Sequence, residues 1–307
     1  MNIAILMDPL HALLIEKDTT IKLIFEGIAR GHDISIFHVD DVFIRNRAIC
    51  GLIKAVHINN NSLEVAAGSQ KPLTDYDVLL MRKDPPFDMA FATACLMLSA
   101  IEGDIKTVNS PTGILLSPEK LWPATFDDIT PPTLISSNRE IIASFKAEYG
   151  AIVIKPLYKY CGRGIYVSEE NDRNLNSVID YYLECEGLPL VAQKYLPGVS
   201  DGDRRIILLG GKPVGAINRM RQKGDFRCNM FVGGVPNLHM LSETERSICS
   251  LIGPWLLERG LHFVGIDVID GLLTEINTTA PTGIMQFMDV GGVNLAPLFW
   301  NYVETEL

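Results

Sequence analysis

Three side chains with hard oxygen donors interrupt apolar sequence late in the chain: Asp267 within residues 264–269, and Glu275 and Asn277 within 272–277. Asp, Glu and Asn are poor strand residues. A carboxylate among apolar neighbours costs free energy unless a cation or partner compensates it. Oxygen ligands of this kind suit Mg²⁺ or Mn²⁺, with a nucleotide phosphate completing the shell. Strand periodicity puts Glu275 and Asn277 on one face. A three-residue loop, 269–271 with Gly271 at positive φ, sets Asp267 opposite Leu273 and makes Glu275 its diagonal neighbour. A two-residue Asp270-Gly271 turn instead sets Asp267 opposite Thr274 and sends Glu275 to the other face. The three-residue loop is the expectation, because it alone brings the donors together. Two solvated edge strands are the plainer reading, and the flanking apolar residues argue against it.

Cationic side chains stand at other punctuated places. Lys155 ends the apolar run 152–154, just before Cys161-Gly162-Arg163-Gly164. A strand-end lysine and a glycine-containing loop can hold phosphate oxygens by charge and by backbone N–H groups. Residues 191–196 form a strand-like run containing Gln193, Lys194, Tyr195 and Leu196, whose backbone suits an adenine edge. Asp203-Arg204-Arg205 opens the next strand, and the planar fork of arginine matches a carboxylate or acyl phosphate. Arg227 and Asn229, with Gly233-Gly234, follow a polar, basic loop over 219–225 that is suited to closing over substrate. Arg82 ends a strand of the first third, where open α/β sheets bind ligands. Each feature also has a plain structural reading, as strand end or solvated turn.

The elements that would carry these residues fall into two textures. Over residues 1–122, strands and helices alternate: strands at 3–7, 34–39, 78–82 and 105–108, a hairpin at 56–66, and helices that Asp18 and Asp88 can cap. Such βαβ order predicts an α/β domain with a mainly parallel sheet. A Pro-rich stretch over 123–132 opens the rest, 123–307, which reads as α+β. One unit spans about 123–188, with strands at 134–135, 152–155 and 165–167. A second spans 189–307, opened by the strand at 191–196 and closed by the pair 263–269 and 272–277. Ser242 and Glu245 form a capping box before its helix.

Composition narrows the classes. A net charge of −10 without a Lys/Arg run argues against nucleic acid as partner. The six cysteines include no CxxC pair, which removes zinc and disulfide readings and fits a reducing cytoplasm. No basic leader precedes the first strand, and the apolar run 91–101 is too short for a bilayer, so no membrane association is expected.

Taken together, the segments resemble the bacterial glutathione synthetases of the ATP-grasp superfamily over nearly the whole chain. The signposts are Met7-Asp8-Pro9, Leu80-Met81-Arg82-Lys83-Asp84-Pro85-Pro86-Phe87-Asp88, Glu119-Lys120-Leu121, Ile154-Lys155-Pro156-Leu157, Asp201-Gly202-Asp203-Arg204-Arg205, Arg227-x-Asn229 with Gly233-Gly234, and Leu273-Thr274-Glu275-Ile276-Asn277. The resemblance implies an ATP-grasp fold behind a Rossmann-like N-terminal domain. It implies ATP and Mg²⁺ (or Mn²⁺), γ-glutamylcysteine and glycine as substrates, and a homo-oligomer, tetramer or dimer. By position it assigns Lys120 and Lys155 to ATP phosphates, with Gly162 and Gly164 in the covering loop. It assigns Gln193, Lys194, Tyr195 and Leu196 to adenine, Asp203 to ribose, and Asp267, Glu275 and Asn277 to two metal ions. Arg205, Arg227 and Asn229 would stabilise the acyl phosphate, and Arg82 would bind the dipeptide near Thr19 and Thr20. Two places depart from the family pattern. Lys159 and Cys161 stand in a loop that is usually glycine-rich, and Met285-Gln286 stand where an Arg-Glu pair is common. These departures bear on which acid and amine are joined. They leave a related ligase with another pair, or a non-catalytic nucleotide-binding relative, as alternatives.

Overall fold

The computed structural model describes residues 1–60, 62–221 and 234–307. Its strands gather into sheets of eight, four and five. The first sheet holds β1 (Asn2–Met7), β2 (Asp33–Phe37), β3 (Val42–Arg45), β4 (Ala48–Asn59), β5 (Ser62–Val65), β6 (Ser69–Pro72), β7 (Val78–Arg82) and β8 (Lys106–Val108). Its parallel part runs in the order β2-β1-β7-β8. Interleaved are α1 (Thr19–Ala29), α2 (Met89–Ser99) and α3 (Pro111–Leu116). Asp18 caps α1 by accepting the Ile21 N–H at 2.9 Å, and Asp88 caps α2 by accepting the Phe91 N–H at 2.9 Å, as their positions predict. Both faces of the sheet are buried. Ala4 and Leu6 of β1 enter one core, and Ile3, Ile5 and Met7 enter the other. That is why the strand reads as a continuous apolar run.

The second sheet is antiparallel, in the order β11-β10-β12-β9. It comprises β9 (Thr133–Ser136), β10 (Ile152–Pro156), β11 (Tyr166–Ser168) and β12 (Leu190–Lys194). With α4 (Arg139–Tyr149) and α5 (Leu175–Glu186) it closes a core of its own around Ile142, Ile154, Ile179 and Ala192. The sequence reading placed β12 at the start of the next unit. Instead it is hydrogen-bonded between β10 and β9, so the sheet change falls after Lys194.

The third sheet, β15-β14-β13-β16-β17, is built from β13 (Asp203–Leu209), β14 (Lys212–Met220), β15 (Val235–Leu238), β16 (Phe263–Ile269) and β17 (Leu272–Asn277). It is accompanied by α6 (Glu243–Leu257), α7 (Ile284–Asp289) and α8 (Ala296–Thr305). Alternate residues of β13 join both cores of the first sheet: Ile206 and Leu208 one, Ile207 and Leu209 the other. Helix α8 lies against α1. Its fully buried Trp300 donates its Nε1–H to the Leu23 carbonyl at 2.8 Å.

The tight β13–β14 turn, Gly210-Gly211, has φ of 56° and 71°, and α6 passes directly over it. A Cβ on Gly253 would lie 2.5 Å from the Gly211 carbonyl oxygen, a backbone atom with no rotamer to yield. Gly253→Ala is expected to cost about 2 kcal/mol or more by overpacking, read as a lower urea midpoint. Gly103→Ala is the control, because a Cβ there meets nothing within 4 Å.

Candidate active site

The β16–β17 hairpin corrects one expectation. Its turn is Asp270-Gly271 alone, with φ of 54° and 72°, and Ile269 pairs with Leu272. The three-residue loop is therefore absent. A regular ladder from that turn would separate Asp267 from Glu275. The register, however, shifts between Val268 and Asp267, leaving Thr274 as the extra residue of a bulge. The Thr274 hydroxyl donates to the Asp267 carbonyl at 3.1 Å and pins it. Asp267 then pairs directly with Glu275, and Gly265 with Asn277. Asn277 Nδ2 donates to Asp267 Oδ2 at 3.3 Å. The bulge thus restores the shared face that the turn by itself would have destroyed.

Among the described residues no group of three or more His, Cys, Asp or Glu is arranged to hold a metal. Two carboxylates and an asparagine on one face form only part of an oxygen shell. That fits a hard cation whose remaining ligands come from phosphate.

Cations meet these carboxylates in register. Arg205 pairs with Asp267 across β13 and β16 and grips it with its fork, Nε to Oδ1 at 2.6 Å and Nη2 to Oδ2 at 3.0 Å. Arg219, across from Asp203, bridges Asp203 Oδ2 and Asp267 Oδ1, the latter at 2.9 Å. The sequence reads Arg219 both as part of a strand over 213–220 and as the start of the polar loop, and it is a buried residue of β14. Lys120, also buried, reaches Glu275 Oε1 at 2.8 Å and the Lys159 carbonyl at 2.6 Å. Lys155 donates to Gln193 Oε1 at 2.8 Å, and Gln193 donates to Thr133 Oγ1 at 2.9 Å.

This packing spreads the acidities apart. Burial alone would raise Asp267, but Arg205 and Arg219 hold it well below the usual carboxylate range. Burial, with repulsion from Asp267 and Glu275 outweighing the pull of Arg219 and Arg205, pushes Asp203 up to about 6. Glu119 is pushed up to about 7 by burial and by Glu275, against the pull of Lys120 and a hydrogen bond from Thr279. Burial lowers Lys155, and neighbouring Lys120 adds to the effect.

The loop after β10 carries Cys161, Gly162 and Gly164, all at positive φ. Cys161 adopts there, at φ 54°, the conformation a glycine would take without strain. Tyr158 stacks on Phe87 at 5.9 Å between ring centroids, and Tyr182 donates its hydroxyl to the Gly164 carbonyl at 2.9 Å. At the end of β12, the Lys194 and Tyr195 N–H groups are donated to the Pro132 and Ala151 carbonyls. The strand ends at Lys194, so Tyr195 and Leu196 form its exit rather than its body.

Arg82 closes β7. The strand order reverses at β1, so the crevice beyond the carboxyl ends of β1 and β7 is the expected ligand edge. Its Nε donates to Thr20 Oγ1 and its Nη2 to the Pro281 carbonyl, each at 3.0 Å. Nη1 of Arg82 and Oγ1 of Thr19 are buried without partners. Arg227 and Asn229 lie outside the described residues.

Comparison with known proteins decides the family. The profile described as prokaryotic glutathione synthetase, N-terminal domain, matches residues 1–114, and that described as prokaryotic glutathione synthetase, ATP-grasp domain, matches 119–292. The chain belongs to the prokaryotic glutathione synthetase family. It is 39% identical to the glutathione synthetase of Rhodopseudomonas palustris over 100% of this chain and 99% of that protein. It is 36% identical to the Coxiella burnetii glutathione synthetase over 100% and 97%. Among solved structures, D-cycloserine synthetase DcsG superposes with a TM-score of 0.72 at 12% identity, covering 100% of this chain and 99% of that one. A RimK domain ATP-grasp protein from Sphaerobacter thermophilus gives 0.66 at 16%, covering 98% and 99%. At those identities the structures speak to fold alone, and the fold is ATP-grasp. Glutathione synthetases are ATP-dependent ligases acting on small molecules, and this chain is an enzyme of that kind. Among the described residues no helix is long and apolar enough to cross a membrane.

Proposed function

We propose that the chain joins γ-glutamylcysteine and glycine into glutathione at the expense of ATP, in the cytoplasm and as a homo-oligomer. The observation that carries the reading is the Arg205–Asp267–Glu275 register. It places a guanidinium fork beside a metal-type oxygen face, within full-length similarity to glutathione synthetases.

The work divides among the chain's own side chains. Asp267, Glu275 and Asn277 would hold Mg²⁺, which when bound supplies charge neutralisation at the phosphates. Lys120 and Lys155 exchange their present partners, Glu275 and Gln193, for phosphate oxygens. The loop bearing Gly162 and Gly164 covers those phosphates. Gln193, Lys194, Tyr195 and Leu196 line the adenine. With the Lys194 and Tyr195 N–H groups engaged, the Leu196 N–H is the one to read the adenine edge. The Asp203 Oδ1 atom, buried and unpartnered, is set to accept a ribose hydroxyl.

Arg82, with Thr19 and Thr20, binds the dipeptide. Its cysteinyl carboxylate oxygen attacks the γ-phosphorus, the bond to the β–γ bridging oxygen breaks, and ADP leaves. Arg205, with Arg227 and Asn229, stabilises the acyl phosphate that results. The neutral glycine amine then attacks the acyl carbon, phosphate departs and the amine proton is lost. The covering loops hold water away meanwhile.

The test is phosphate release from ATP with γ-glutamylcysteine, with and without glycine, and mass analysis of the product. Glutathione formed only when both are present supports the reading. Release that needs another acid or amine overturns it. Lys155→Met is expected to raise the KM for ATP by about 10- to 100-fold, the worth of a charged phosphate contact. The KM for the dipeptide should hold, as measured by initial rates.

A further inference from the structure

Two residues beyond Arg82 stands a carboxylate with no assigned task. The backbone of Asp84 is tied on both sides. Its N–H is donated to Asp8 Oδ2 at 2.8 Å, and its carbonyl accepts from Lys83, which in turn pairs with Asp8 Oδ1 at 3.0 Å. Its carboxylate has no hydrogen bond or ion pair among the described residues. Burial, with repulsion from Asp18 and Asp8, outweighs the pull of Arg82 and Lys83 and pushes it up to about 6. Arg82 is buried within electrostatic reach of Asp84 and Asp18. Cys161, on the covering loop, lies within electrostatic reach of Asp84, Arg205 and Glu275. Beside Asp84 the Arg82 Nη1 and Thr19 Oγ1 atoms, both buried, lack partners.

The cluster therefore offers an unmatched donor pair next to an unmatched acceptor. A zwitterionic α-amino-acid group is complementary to that arrangement, since it carries a carboxylate and an ammonium on one carbon. We infer that Asp84 binds the α-ammonium of the γ-glutamyl end of the acid substrate, while Arg82 and Thr19 bind its α-carboxylate. The inference rests on the glutathione-forming reading above. Glycine's amine is the wrong occupant on chemical grounds. It must lose its proton to attack, and a carboxylate placed against it would stabilise the unreactive ammonium. The γ-glutamyl ammonium takes no part in the reaction and can stay charged throughout.

The experiment compares γ-glutamylcysteine with N-glutarylcysteine, which lacks only the ammonium, in wild type and Asp84→Asn. Losing a charge-assisted bond is worth about 10- to 100-fold. The wild type should prefer γ-glutamylcysteine by that factor in kcat/KM. Asp84→Asn should raise the KM for γ-glutamylcysteine by as much and use both acids within a few-fold of each other. The KM values for ATP and glycine and the melting temperature should stay at wild-type values. A variant that keeps the wild-type preference, or that raises the KM for glycine instead, overturns the assignment of Asp84 while leaving glutathione formation standing. A wild type that makes no product from γ-glutamylcysteine and glycine overturns the underlying reading, and this inference with it.

Discussion

Replacing Arg205 with lysine is expected to lower kcat by about 10²–10³-fold, the loss measured when one preorganised donor to a developing oxyanion is removed. Formal charge is conserved, so the effect isolates geometry. Arg205 reaches Asp267 through two nitrogens, at 2.6 Å and 3.0 Å, and directs Nη1 toward the Thr282 carbonyl at 3.4 Å. A lysine ammonium can follow one arm of that fork and cannot keep the plane. Folding should survive, because Arg219 still neutralises Asp267. Single-turnover phosphate release separates the chemical step from binding. Nucleotide affinity should hold within a few-fold while the rate of acyl phosphate formation falls. A variant with wild-type single-turnover rates would remove Arg205 from the reaction.

Glu275→Gln should abolish metal-dependent turnover, with a loss of about 10³-fold, the scale of several kcal/mol of charge stabilisation at the phosphates. Activity is one readout, and binding is the sharper one. Calorimetric titration of nucleotide with and without Mg²⁺ should show strong enhancement in the wild type and little in the variant. The substitution also withdraws the carboxylate that Lys120 meets at 2.8 Å, leaving Glu119 and Asp267 as acidic neighbours. A stability loss of about 1.5 kcal/mol is expected from that charged hydrogen bond, too little to unfold the protein. Undiminished Mg²⁺ enhancement in Glu275→Gln would rule out the metal assignment.

How far the sequence could be read depended on whether the signal was local. The strands 78–82, 263–269 and 272–277 have the bounds their apolar runs predict, and the Asp18, Asp88 and Ser242 caps sit where their side chains can reach the next turn. What failed was pairing. The partners of β12 are set by which sheet closes over Ile154 and Ala192, a long-range packing choice that the run itself does not record. The bulge at Thr274 is likewise invisible to alternation. The expectation reached the right face by the wrong turn. Arg219 was given no role because a charged residue beside a polar stretch also reads as loop, while its ion pairs reach Asp203 on the adjacent β13 and Asp267 one strand further, on β16. Lys120 had no periodic pattern around it and was found through the family resemblance alone. Nothing in 117–122 foretells that it meets Glu275 from another part of the fold.

The seat of Trp300 against α1 has a consequence for the order in which the protein is made. The indole closes on the Leu23 carbonyl from 277 residues further along the chain. While the ribosome is still extending the nascent polypeptide, Ile21, Leu23 and Ile24 have emerged, yet the α8 surface that will cover them has not been synthesised. Until then one side of the first sheet remains an adhesive apolar surface, available to chaperones and to neighbouring nascent chains. Closure of this face therefore waits for α8 to be made, and ribosome-stalled chains ending before residue 296 should stay protease-sensitive in their first hundred residues.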